Sequence, residues 1–216
     1  MAKTLTITEI YASIQGESSH AGWPCTFVRL TGCPLRCRWC DTAYAFAGGK
    51  EMTLDAIVEE VVKLGVPMVE LTGGEPLAQA AAPALAALLQ AKGLQVLIET
   101  SGSEDVSALP QATHIIMDIK CPGSNMQERN KLGNLQHLKP TDDVKFVLAD
   151  RADFDWAMEL ISKEHLDSRF NVLLSCAFGL LKPMDLAAWM LERPALKARL
   201  QLQQHKYIWH PRAKGV

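Results

Sequence analysis

Gly32-Cys33-Pro34-Leu35-Arg36-Cys37-Arg38-Trp39-Cys40-Asp41-Thr42 holds three of the chain's six cysteines, in the spacing C-x3-C-x2-C. Three thiolates on one tight loop can each bind one iron of a cubane, and the fourth iron is then left without a protein ligand. An electron carrier normally has four cysteine ligands, so a three-cysteine loop makes sense if the open iron binds something else. Zinc is the alternative. It would need a fourth ligand from Cys121, Cys176 or a histidine, and a C-x3-C-x2-C triplet is an uncommon spacing for it.

Outward from this loop the chain alternates short apolar runs with helical patterns, the rhythm of βα units and a parallel sheet. Thr26-Phe27-Val28-Arg29-Leu30 reads as a first strand leading into the cysteine loop. Thr53 is an N-cap for LDAIVEEVVKL, which Gly65 stops. Further strands are expected over 66–71, 94–99, 114–120, 144–148 and 170–175, with a short one at 201–209. Helices are expected over 78–92, 152–163 and 184–192, with Gly93 as a C-cap signal. About six βα units are too few for a closed eight-stranded barrel. They suit an α/β fold of the partial, open (βα)6 type with mostly parallel strands, in which chemistry gathers at the C-terminal ends of the strands. The unusual loops 33–42, 72–76, 100–102, 118–124 and 175–179 all lie at such ends.

The 216 residues fit one domain, 1–216, with the cluster loop at 33–42. A hydrophobic content of 48% is enough for a sizeable core. With 22 Lys and Arg against 24 Asp and Glu there is no basic excess, so no direct nucleic-acid partner is expected. The opening MAKTLTITEIYASIQGE has no apolar core of a leader peptide, and no stretch is apolar enough for a membrane span. A cytoplasmic location is expected. Six cysteines there argue against a disulfide framework; Cys25 and Cys176 read as small buried strand residues.

A second motif, Thr72-Gly73-Gly74-Glu75-Pro76, ends the strand that follows one helix after the cysteine loop. Its two glycines permit close backbone approach to a ligand, and Glu75 can accept a hydrogen bond from an ammonium.

Together, C-x3-C-x2-C and GGE resemble the radical S-adenosylmethionine (radical SAM) superfamily. The resemblance implies a [4Fe-4S] cluster on Cys33, Cys37 and Cys40, with S-adenosyl-L-methionine on the open iron. Cleavage to methionine and a 5′-deoxyadenosyl radical would follow, in a radical SAM barrel. A closer resemblance rests on Ser13-Ile14-Gln15-Gly16-Glu17, Phe27-Val28-Arg29-Leu30, GCPLRCRWCDT, Glu99-Thr100-Ser101-Gly102 and Gln204-His205-Lys206-Tyr207. These stretches are similar to the 7-carboxy-7-deazaguanine synthases. Such enzymes contract the ring of 6-carboxy-5,6,7,8-tetrahydropterin to 7-carboxy-7-deazaguanine with loss of ammonia, in 7-deazapurine and queuosine biosynthesis.

The resemblance implies S-adenosylmethionine contacts from Trp39, Asp41, Gly73, Gly74, Glu75, Gly102, Lys120 and Ser175. It implies pterin contacts from Ile14, Gln15, Gly16, Glu17, Arg29, Thr100, His205 and Pro211, with Arg29 suited to the substrate carboxylate. It implies Mg2+ on the hydroxyl of Thr42, a flavodoxin or ferredoxin as electron donor, and a homodimer. Many relatives have Ser-Pro-Lys where this chain has Asp118-Ile119-Lys120, and its tail after Tyr207 is longer than in some. Two other classes compete: a glycyl-radical activating enzyme, which would act on a protein backbone, and a non-catalytic iron–sulfur or zinc protein.

Cys33→Ala, Cys37→Ala and Cys40→Ala should each abolish both the cluster and S-adenosylmethionine cleavage, whereas the wild type should hold about four irons. Iron and sulfide analysis of anaerobically reconstituted protein checks this; a Cys37→Ala protein that still cleaves would refute the ligand assignment.

Overall fold

The stretch ahead of the expected first strand forms a strand of its own. In Thr4–Ile14 (β1), Leu5 and Ile7 alternate with more exposed residues, the pattern of an antiparallel strand buried on one face. The structure, a computed structural model, describes residues 3–216, so the first two residues of the expected domain lie outside the described ones. After β1 come Pro24–Leu30 (β2), Lys50–Thr53 (β3), Leu54–Leu64 (α1), Met68–Gly73 (β4) and Ala82–Ala91 (α2). Then follow Gln95–Thr100 (β5), His114–Ile119 (β6), Asp143–Leu148 (β7), Arg151–Glu164 (α3) and Leu166–Arg169 (α4). Asn171–Cys176 (β8), Pro183–Leu191 (α5), Ala198–Gln201 (β9) and His205–Ile208 (α6) complete the chain.

All the strands join one open sheet in the order β3-β1-β2-β4-β5-β6-β7-β8-β9. β1 runs antiparallel to β2 and β3, and every pairing from β2 to β9 is parallel. The six crossovers from β2 to β9 match the expected (βα)6 count, but those from β5 to β6 and from β6 to β7 contain no α-helix. Among the described residues no helix is long and apolar enough to cross a membrane.

Three local expectations are corrected. The strand at 26–30 is the second, because β1 precedes it. The helix expected over 78–92 is a 3-10 turn at Pro76–Ala78 followed by α2. Gln79 leaves the helical path between them, and its amide bonds Thr6 N, Thr6 O and Thr31 O; Pro83 then sits in the first turn of α2, where its missing N–H costs nothing. The strand expected over 201–209 ends at Gln201, and 205–208 is helical. The cap signals at α1 behave as read: Thr53 accepts from Ala56 N at 3.2 Å, and Gly65 closes the helix at φ 71°.

Strand alternation sorts side chains between two faces. Val28 and Leu30, Val69 and Leu71, Ile115 and Met117, and Val144 and Phe146 face the helices and form the main core. Cys25, Phe27, Met68, Leu97 and Ile116 point the other way and form a small apolar plug with Tyr11. Two residues further along β2, β4, β5 and β6 the inward positions become polar, at Arg29, Glu70, Glu99 and Asp118, and Lys145 of β7 joins them. This polar layer lies between the plug and the loops at the strand ends.

Candidate active site

The cysteine loop leaves the C-terminal end of β2. Leu35, 1% exposed, anchors it. The guanidinium of Arg36 donates to the carbonyls of Cys33 (2.7 Å) and Leu35 (2.6 Å) and lies over the ring of Phe46. Arg38 N donates to Ser124 O, which ties the loop to the segment after β6. The three thiols are half-buried, and burial raises the pKa of each. The Lys120 ammonium opposes that rise at all three, so it is the cation their thiolates share. Cys25, Cys121 and Cys176 are buried, which pushes the Cys176 thiol up to about 11. Three accessible thiols beside one ammonium, with the other cysteines buried away, fit a group that takes three protein ligands.

The GGE turn is wedged against this loop. A Cβ at Gly73 (φ 135°) would run into the Leu30 carbonyl, and one at Gly74 into the Gly32 carbonyl. Glu75 N donates to Gly32 O at 2.8 Å. The Glu75 side chain differs from expectation. Its Oε1 accepts from Thr100 Oγ1 (2.8 Å) and Leu77 N (3.0 Å), and its Oε2 from Ser101 N (2.7 Å) and Ser101 Oγ (2.6 Å). It is fully buried. Four protein donors leave this carboxylate no place for a ligand ammonium, and the Thr100 hydroxyl is likewise engaged. Glu75 therefore builds the 100–102 turn, in which Gly102 adopts φ 67°.

Beneath the loops lies the charged layer. The Lys145 ammonium, 4% exposed, reaches Glu17 Oε2 at 2.6 Å and Glu99 Oε1 at 2.5 Å. Burial would lower its pKa, but the two carboxylates raise it well above the usual lysine range. Glu17 is half-buried, which works to raise its carboxyl, yet Lys145 holds it below the usual carboxylate range. Glu70 is different: burial, then the facing Glu99, raise its pKa well above normal, which favours the neutral acid. Gln15 Nε2 donates to Glu70 Oε2, and Gln15 Oε1 accepts from Glu17 N.

On the far side of the layer Arg29 donates to Glu9 Oε1 (2.7 Å) and to Tyr11 Oη (2.9 Å), and Tyr44 Oη also donates to Glu9. Arg29 already has an anionic partner and is aimed by it. Lys120 pairs with Asp118 Oδ2 at 2.7 Å and is braced by Asn130.

The C-terminal segment closes one side. Gln204 N donates to Gly16 O, Gln203 Nε2 to Glu17 Oε1, and His205 lies so close over Gly16 that a Cβ there would meet its ring at 2.6 Å. Lys206 Nζ reaches Asp41 Oδ2 at 2.5 Å, and Thr42 Oγ1 donates to Asp41 Oδ1 at 2.9 Å. Although burial works to raise it, Lys206 and Thr42 hold the Asp41 carboxyl at about 2. Trp39 is half-buried beside them. Ser175, at the end of β8, has a buried hydroxyl with no partner and lines a cavity of about 250 Å3 with Phe178, Gln201 and Tyr207. Ile14 ends β1 against Pro24, and Pro211 lies exposed in the tail.

Sequence reading expects Gln15, Glu17, Arg29, the cysteines and His205 at one mouth; in the structure Gln15, Glu17 and His205 gather around Gly16, and Arg29 lies on β2, the strand that leads into the cysteine loop. It missed Glu9, Tyr11, Glu70, Glu99, Lys145 and Lys206 as members of the site. A signal for the strand residues was present: VEL, IET, MDI and VKF each put a single charge in an otherwise apolar strand.

Comparison with known proteins shows the family and the fold. The Radical SAM superfamily profile matches residues 27–120. A 7-carboxy-7-deazaguanine synthase of Koribacter versatilis is 46% identical over 98% of this chain and 100% of its own length. One from Chlorobaculum tepidum is 45% identical over 98% of this chain and 97% of its own. Among solved structures, QueE from Escherichia coli shares the fold, with a TM-score of 0.77 at 22% identity over 94% of this chain and 95% of that one.

Lys206→Met should remove the partner of Asp41. A depressed carboxyl pKa adds stability above the unfolded pKa, near 3.8, and loses it as pH falls toward the folded value of about 2. The variant should therefore be less stable than wild type at pH 6, by under about 1 kcal/mol because Asp41 is half exposed. The gap should vanish between pH 4 and 2 in urea titrations.

Proposed function

The chain belongs to the 7-carboxy-7-deazaguanine synthase family of radical SAM enzymes, and on that premise we propose how its residues divide the work. The family's reaction is the radical ring contraction of 6-carboxy-5,6,7,8-tetrahydropterin to 7-carboxy-7-deazaguanine with loss of ammonia. The observation that carries this reading is the three-thiol loop at the end of β2, the strand that bears the Arg29 guanidinium, in one sheet with the Glu99 carboxylate and its Lys145 partner. A [4Fe-4S] cluster with S-adenosylmethionine supplies the radical when bound.

Cys33, Cys37 and Cys40 hold the cluster. The backbone carbonyls of the Gly73-Gly74 turn, which packs so closely on Leu30 and Gly32 that no Cβ fits, take the S-adenosylmethionine ammonium in place of the engaged Glu75 carboxylate. Trp39, Asp41, Gly102, Lys120 and the unpartnered Ser175 hydroxyl line the rest of that cofactor's site. Ile14, Gln15, Gly16, Glu17, Thr100, His205 and Pro211 surround the pterin, with Arg29 on its carboxylate. Pre-orientation by Glu9 leaves Arg29 Nη1 free to donate. Thr42 contributes to a Mg2+ site; a hard cation that keeps most of its waters needs few protein ligands. The chain works as one domain, in the cytoplasm, as a homodimer reduced by flavodoxin or ferredoxin.

The deciding experiment is an anaerobic assay of reconstituted protein with the carboxypterin, S-adenosylmethionine, Mg2+ and a strong reductant. Formation of 7-carboxy-7-deazaguanine is expected; cleavage of S-adenosylmethionine with no consumption of the pterin would refute the substrate. In that assay Arg29→Lys, which keeps a charge for Glu9 but loses the planar fork, should raise KM for the pterin by about 10-fold or more while S-adenosylmethionine binding stays unchanged. Thr42→Ala should weaken the Mg2+ response at unchanged iron content; a wild-type response at every Mg2+ level would remove Thr42 from the metal site.

A further inference from the structure

Glu99 is the accessible member of the buried charge layer. Its side chain is 27% exposed, whereas Lys145 beneath it is 4% exposed and Glu70 is 1% exposed. It lies on the inward face of β5, one alternation beyond Leu97 of the apolar plug, so its exposed part opens toward the rim rather than the outer surface. Lys145 holds Oε1 at 2.5 Å, and the Thr72 hydroxyl approaches Oε2 at 3.5 Å. Each oxygen keeps a lone pair for another donor.

The charges in the layer do not cancel. Lys145 carries one positive charge against Glu17 and Glu99, while burial beside Glu99 favours the protonated form of Glu70. Arg29 is balanced by Glu9. One negative charge is therefore left over at the accessible end of the layer, and an enclosed carboxylate needs donors.

Register sets the span. Arg29 pairs with Thr72 across β2 and β4, and Thr72 reaches Glu99 on β5. Arg29 and Glu99 thus flank Thr72 on three neighbouring strands, about 10 Å apart at two strand spacings. A carboxypterin has a carboxylate at one end and two adjacent N–H donors, the exocyclic amino group and the neighbouring ring nitrogen, at the other. Its length is comparable with that span, and its N–H pair has the fork that a carboxylate accepts bidentately.

We propose that Glu99 reads the N–H edge of the pterin's pyrimidinone ring, so that Glu99 and Arg29 together fix the ring's orientation under the cluster loop. The proposal rests on the function given above. Lys145 and Glu70 act through Glu99 as positioning residues: Lys145 aims the carboxylate, and a neutral Glu70 avoids a third negative charge.

The test is equilibrium binding, under anaerobic conditions to reconstituted enzyme with S-adenosylmethionine. Two ligands are compared: the carboxypterin, and its analogue with oxygen in place of the exocyclic amino group. The wild type should prefer the pterin by about 10- to 100-fold, since the analogue sets an acceptor against a carboxylate. In Glu99→Gln, whose amide can donate to that oxygen, the preference should shrink by about 10-fold or more, with S-adenosylmethionine affinity and iron content unchanged. An undiminished preference in Glu99→Gln overturns the assignment, as does a wild type indifferent to the exchange. So does a loss of preference in Glu17→Gln alone. If Glu99→Gln fails to fold, Glu99→Asp keeps the charge on Lys145 but withdraws the carboxylate by one methylene. It should bind the pterin about 10-fold more weakly, and wild-type affinity there overturns the proposal. A wild type that binds neither ligand would instead remove the function on which the proposal rests.

Discussion

Lys145 is an ammonium in the interior of a parallel sheet, and much of the site's architecture follows from what keeps it charged there. An unpaired buried ammonium would lose its proton or unfold its surroundings. Glu17 comes from the loop after β1 and Glu99 from β5, so the ion pairs link segments 128 and 46 residues from Lys145 in the chain. The same requirement draws the loop at 15–17 down onto the sheet. Gln15 then bonds Glu70, and Gln203 and Gln204 of the C-terminal segment fasten onto Glu17 and Gly16. The loop read as a substrate-binding element is thus ordered by a charge in the middle of the fold.

A second level of organisation lies at the rim. The cysteine loop has little core of its own beyond Leu35, so its shape comes from neighbours: the backbone of 73–75, the carbonyl of Ser124, and Lys206 through Asp41. Gly73 and Gly74 allow the β4 turn to sit against Leu30 and Gly32 at a distance no side chain would permit. Glu75, tucked behind them, joins β4 to the 100–102 turn with four hydrogen bonds. Loss of such a buried acceptor leaves its donors unsatisfied, at a cost of about 1–3 kcal/mol for each. The rim is therefore a set of mutually braced loops, the pre-organisation that confining a reactive radical demands.

Polarity along the inner face is graded. Phe27, Met68, Leu97 and Ile116 exclude water at the bottom, the charged residues stand above them, and the thiols and Ser175 lie at the top. Arg29 with Glu9 occupies one side of the middle layer, and Glu99 with Lys145 the other. A substrate with a carboxylate at one end and N–H donors at the other can be held there in one orientation.

Several features were legible in the chain alone because they depend on near neighbours. The C-x3-C-x2-C spacing places three thiols on one loop whatever surrounds it. Thr53 and Gly65 bound α1 by cap chemistry within a few residues, and apolar runs broken by glycine located the parallel strands. β1 escaped notice because its half-buried alternation becomes meaningful only when β2 and β3 flank it. The strand expected at 201–209 failed because the amides of Gln203 and Gln204 and the ammonium of Lys206 find partners at Glu17, Gly16 and Asp41, far back in the sequence. Sequence by itself determined the residue types and the loop that carry the chemistry. Only the tertiary structure decided that Glu75 is an internal brace, that Arg29 comes already paired with Glu9, and that Glu99 faces open space while Glu70 does not. Each of those outcomes depends on burial and on a partner at least twenty residues distant, and no local pattern encodes either.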